Sequence, residues 1–133
     1  MIKETINKLH KELPSTVRLV AVSKFHPFEA IEEAYAAGQR IFAESRPQEL
    51  QAKVRRLEEV RSGKIANAVA SGADVEEANA YMADVEWHFI GHLQTNKLKM
   101  VLPYVTLVQS VDSLRLLDAI QTWGKANDRV IPV

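Results

Sequence analysis

Apolar residues along this chain alternate between two spacings. Ile2, Ile6, Leu9 and Leu13 recur at helical intervals, so residues 2–12 are predicted to form an amphipathic helix that Pro14 and Ser15 stop. Arg18 to Ser23 is short and rich in Val and Leu, the pattern of a buried strand. Pro27 suits the first turn of a helix whose early acidic residues, Glu29, Glu32 and Glu33, complement its dipole and which ends at Gly38. Arg40 to Ala43 is a second strand. From Pro47 a helix carries Leu50, Val54 and Leu57 on one side. Ser-Gly pairs at 62–63 and 71–72 break the pattern, a further helix is expected from Asp74, and 60–83 reads as an insertion. Val85 to Ile90 is a third strand, Asn96 can cap a helix over 97–101, and Thr106 to Val111 is a fourth strand. Asp112 or Ser113 caps a helix through Gln121, and Val130 to Val133 begins a fifth strand.

Strand followed by helix, repeated, builds a parallel sheet with helices outside it. An open doubly wound sheet and a (β/α)8 barrel both fit. The turn after the first strand, Ser-Lys-Phe-His-Pro, carries no glycine-rich phosphate loop, which weighs against dinucleotide and P-loop readings.

Composition narrows the function classes. Lys plus Arg and Asp plus Glu are both 17 in 133 residues, a balance that gives no push toward nucleic acid or anionic membranes. Cysteine is absent, so disulfides, thiolate metal sites and thiol catalysis are excluded. The N-terminal residues do not read as a signal peptide, no stretch is apolar enough to span a bilayer, and the cytoplasm is the expected location.

Ligands of parallel α/β folds sit at the C-terminal strand tips. The tips here are Ser23-Lys24, Glu44-Ser45, Gly91-His92 and Ser110 to Asp112. Lys24 carries the most information. At the mouth of the fold its amine is either a solvated strand-end charge or, if sheltered, a nucleophile toward aldehydes. By alternation Lys24 shares a face with Val22 and Val20. His88, Ile90 and His92 share one face of the third strand, and Trp87 and Phe89 face the helix layer. His88 and His92 lie too far apart along a strand to bind one metal easily, so no metal site is expected. A buried histidine that fixes strand register is the commoner case. Glu49 reads as solvent-facing or dipole-capping, and the charges from Lys53 to Arg61 read as a solvated helix face.

Several of these runs together resemble a known family. They are Leu19-Val-Ala-Val-Ser-Lys24, Ala36-Ala-Gly-Gln-Arg-Ile-Phe-Ala-Glu-Ser, Pro47-Gln-Glu49, Trp87-His-Phe-Ile-Gly-His-Leu-Gln-Thr-Asn-Lys97 and Ser110-Val-Asp-Ser113. They are similar to the pyridoxal phosphate homeostasis protein family, whose members resemble the N-terminal barrel of alanine racemase. The resemblance covers nearly all of residues 1–133 outside 60–83, and implies a partial TIM barrel of about four to five βα units in one domain. It implies pyridoxal 5′-phosphate held as a Schiff base on Lys24, with Ser45, His88 and His92 lining the cofactor ring. It implies a cofactor-handling role and no catalytic residue. A racemase needs a second acid or base opposite Lys24, and Tyr35, Tyr81 and Tyr104 all fall on or beside helices.

The chain departs from the family pattern in three places. Ala43-Glu44-Ser45 stands where the family shows Gly-Glu-Asn. Segment 60–83 is longer than usual. The chain stops at Val133, whereas a closed barrel takes eight units and about 250 residues, and the family's phosphate loop lies in the later units. An open half barrel exposes strand edges and an apolar inner face, so pairing with a second copy that completes the half barrel, exchange of elements or aggregation is expected. The rival expectation is a remnant or interaction module that binds no cofactor.

Overall fold

The computed structural model describes residues 2–133. Helix α1 (Ile2–Glu12) precedes strand β1 (Ala21–Val22), helix α2 (Phe28–Ala36) and strand β2 (Ile41–Glu44). Helix α3 (Pro47–Ser71) and the short α4 (Val75–Asn79) lead to β3 (Glu86–Phe89). A 3-10 turn (Thr95–Lys97) runs into α5 (Leu98–Val101), followed by β4 (Val105–Val108) and α6 (Leu114–Ala126). The strands form one sheet in the order β1-β2-β3-β4, every pair parallel. Each crossover carries helix, as parallel neighbours require.

Alternation within the strands decides what each face holds. Phe42, Trp87, Phe89, Val105 and Val108 are buried in the core between sheet and helices, together with Leu50, Leu57, Val101 and Leu102. Burying one such side chain contributes about 1.5–3 kcal/mol. The opposite face is concave and carries His88 and Leu107, as the alternation in the sequence predicts. A register shift lies between Trp87 and His88, which align with Val105 and Leu107. Thr106 is thereby skipped, and β4 keeps apolar side chains on both faces.

Helix ends follow local chemistry. Pro47 is in the first turn of α3, and Gly72 at φ 74° ends that helix in the left-handed conformation. Ser113, not Asp112, caps α6, its hydroxyl accepting the Leu116 N–H at 3.1 Å. Pro27 stands one residue before α2, as its N-cap.

Five expectations need correction. The ladder of β1 begins only at Ala21, because the Leu19 carbonyl is taken by the Gln39 side-chain amide at 2.7 Å. Helix α3 runs straight through Ser62-Gly63 for 25 residues. A helical glycine costs only about 1 kcal/mol relative to alanine, less than flanking packing supplies. That packing comes from buried Leu57 and Ala68, and from Arg61, which donates to the Tyr81 carbonyl at 3.0 and 2.8 Å. Asn96 lies inside the 3-10 turn rather than capping a helix. Helix α6 continues past Gln121 to Ala126. Residues 130–133 form no strand; the Pro132 carbonyl accepts one bond from the Val108 N–H at 3.0 Å.

Candidate functional site at the strand tips

Three strand tips converge where the sequence places its polar residues. Gly91, just past β3, packs against Ser45, just past β2. A Cβ on Gly91 would lie 2.0 Å from the Ser45 carbonyl oxygen, so only glycine permits this approach. The Ser110 hydroxyl donates to the Gly91 carbonyl, tying in the tip of β4.

Lys24 sits just beyond β1, in a turn closed by the His26 N–H donating to the Ser23 carbonyl at 3.1 Å. Its side chain is exposed. The sheltered amine expected at Lys24 is therefore not what the structure has there. The concave face beside β1 is open, and Val22 on that face is 49% exposed. The Lys24 amine has no hydrogen-bond or ion-pair partner among the described residues.

Behind that turn lies a second lysine with the opposite character. Lys53 of α3 is buried, and its ammonium donates to the Ser23 carbonyl at 2.5 Å, to Glu44 Oε2 at 2.7 Å and to Glu49 Oε2 at 3.1 Å. Glu44 is fully buried; its Oε2 also accepts from the Ser23 hydroxyl, while its Oε1 has no partner. Glu49 Oε2 accepts the Phe25 N–H at 2.6 Å. Burial pushes the Glu49 carboxyl up. The Phe25 N–H, the Lys53 ammonium and the Arg46 charge outweigh this and hold it below the ordinary carboxylate range.

Neither the solvated reading of Lys53 nor the solvent-facing reading of Glu49 survives. Both corrections were foreshadowed by spacing. Lys53 is three residues after Leu50 and four before Leu57, on the apolar stripe of α3. Glu44 shares its strand face with Phe42, so it had to enter the helix layer and find a cation there. Glu49 and Lys53 are also an i,i+4 pair.

The remaining candidates separate. Ser45 is half-buried at the tip of the strand next to β1. His88 is buried two strands from β1, at the level of Val22 rather than Lys24. Its Nδ1 accepts from the Gln109 side-chain amide at 3.0 Å, which leaves the ring proton on Nε2. Burial holds the His88 pKa below its ordinary value, against the pull of Glu86. His88 lines an open groove of about 450 Å³ with Arg18, Val20, Ile41, Leu107 and Gln109. His92 is 70% exposed, with Nδ1 3.6 Å from Asp112. The two histidines do not meet. Among the described residues no cluster of three or more His, Asp or Glu could hold a metal ion.

Comparison with known proteins places this geometry. No family model matches the chain. A pyridoxal phosphate homeostasis protein of Synechocystis is 41% identical over 104 residues, covering 78% of this chain and 38% of the relative. PipY of Synechococcus elongatus, solved with pyridoxal phosphate bound, superposes at a TM-score of 0.77 with 35% identity, over 97% of this chain and 50% of PipY. Over the part of their length that it spans, the chain is similar in sequence and fold to the pyridoxal phosphate homeostasis proteins.

It spans less than half of the curated relatives it matches. Alanine racemase from E. faecalis shares the fold at a TM-score of 0.55 and 16% identity, over 92% of this chain and 27% of the enzyme. The α/β architecture is thus part of a TIM-like barrel of the alanine racemase N-terminal type, with four strands of its parallel sheet present. At the tips the Lys24 amine is unengaged among the described residues, the one group there with the chemistry to meet an aldehyde. The hydroxyl of Ser110 and the ring of His92 are already engaged within the chain.

Proposed function

We propose that this chain binds pyridoxal 5′-phosphate and handles the cofactor rather than turning over a substrate, with Lys24 as the attachment point. The supporting observation is the contrast between Lys24 at the strand tip and Lys53 on α3 behind it. Lys53 is locked by two carboxylates and a carbonyl, whereas Lys24 stands unengaged at the end of a parallel strand. The fold is the one in which PipY was solved with that cofactor. Lys24 would hold the cofactor through its side-chain amine, and the cofactor would supply an aldehyde open to condensation with that amine. In this reading Ser45, at the neighbouring tip, would line the cofactor ring; His88 stands in the groove two strands away, and His92 is exposed beside Asp112. A cytoplasmic location belongs to this reading; among the described residues no helix is long and apolar enough to cross a membrane.

Borohydride reduction of the protein mixed with pyridoxal phosphate tests the proposal. A single covalent adduct should map to the Lys24 peptide and vanish in Lys24→Ala. No adduct, or an equal yield in the variant, would refute it. The rival reading, a self-associating module without cofactor, draws on the uncovered groove and exposed Val22. A cofactor-free dimer by light scattering would favour it.

A further inference from the structure

The turn that presents Lys24 is unusual for its sequence. Ser23, Lys24, Phe25 and His26 close through the His26 N–H and the Ser23 carbonyl, and Phe25, in the third position, has φ 65°. Positive φ there is the mark of a type II turn, a place normally given to Gly or Asn because a side chain is strained. A phenylalanine stays in such a conformation only when its surroundings hold it.

The surroundings do so from one side, through α3. Type I and type II turns differ by a flip of the central peptide, here the Lys24 carbonyl and the Phe25 N–H. Glu49 Oε2 holds that N–H at 2.6 Å, and Lys53 holds the Ser23 carbonyl at 2.5 Å. Lys53 and Glu49 are in turn paired at 3.1 Å, and Lys53 is anchored by buried Glu44. Both flanks of Lys24 are thus fastened to one helix, while the amine itself stays unengaged.

We infer that Glu49 and Lys53 form an ionic clamp that positions the Lys24 turn for reaction with an aldehyde, and that they are positioning residues rather than groups that touch the cofactor. This rests on the assignment of Lys24 as the attachment point. The clamp explains how an exposed lysine keeps a fixed exit direction from the backbone, because it acts on the peptide groups and not on the side chain.

The test compares wild type, Glu49→Ala, Glu49→Gln and the double variant Glu49→Ala/Phe25→Gly, with Lys24→Ala as control. Two readouts are taken: amide hydrogen exchange at residue 25 without cofactor, and the rate of reductive capture of pyridoxal phosphate per folded molecule. Glu49→Ala should lose protection at Phe25 and capture at least ten-fold more slowly. Glu49→Gln keeps an acceptor oxygen and should retain most of the rate. Phe25→Gly adopts positive φ unaided and should restore capture to Glu49→Ala. Wild-type capture by Glu49→Ala, or no rescue by the glycine in a double variant that melts like wild type, would overturn the clamp. If wild type itself captures nothing, the Lys24 assignment fails. Exchange at Phe25 still decides the clamp in that case: unchanged protection in Glu49→Ala refutes it.

Discussion

Replacing Lys53 with methionine tests how much the fold depends on one buried charge. Methionine keeps most of the volume and the apolar stem, so the change is chiefly the loss of the ammonium. Three acceptors lose a donor, but their fates differ. The Ser23 carbonyl keeps the His26 N–H. The Glu49 carboxylate keeps the Phe25 N–H, and its side chain is 21% exposed, so water can reach it. The Glu44 side chain has 0% exposure and keeps only the Ser23 hydroxyl, with its other oxygen already unpartnered. The cost therefore falls on Glu44, and breaking a buried pair by removing one partner costs about 3–5 kcal/mol. Urea unfolding followed by circular dichroism measures it, as a lower midpoint at constant slope. The double variant Lys53→Met/Glu44→Leu removes the stranded charge as well and should recover most of the loss. A single variant within about 1 kcal/mol of wild type would refute the reasoning, because it would mean that water reaches Glu44.

Other expectations are as direct. Gly91→Ala should lower stability by about 3 kcal/mol by thermal unfolding, since the added methyl meets Ser45 backbone atoms that no rotamer change can move. His88 favours its neutral form in the fold, because burial lowers its pKa from the ordinary 6.5. Its contribution to stability is fully present above pH 6.5 and is lost as pH falls through the lowered folded value, so His88→Asn should flatten the stability profile in that window. Glu49, held below the ordinary carboxylate value of 4.5, contributes above that pH and loses its contribution as acid takes the pH through the folded value; Glu49→Gln should remove this acid-side slope. Ser113→Ala removes the cap of α6 and should cost about 1 kcal/mol in the same unfolding assay.

The sequence by itself determined the alternation of strand and helix, the faces of β3, the parallel character of the sheet and the set of residues at its tips. These follow from periods of two and 3.6 residues and from breakers such as Pro47 and Gly72, which act within a few residues of where they stand. The resemblance carried by Trp87 to Lys97 was legible for the same reason, as a contiguous run. Only the tertiary structure decided which partners Lys53 and Glu44 find in the helix layer, and that Lys24 remains exposed. Each depends on a partner far along the chain: Lys53 meets the Ser23 carbonyl, and Phe25 meets Glu49. It also decided the length of β1, where Gln39 takes a carbonyl that a ladder would have used, and the continuity of α3 through Gly63, where packing outweighs a weak local preference. Local pattern fixes which way a side chain leaves the backbone, but whether it finds water, a carboxylate or a carbonyl there depends on what the fold brings opposite it.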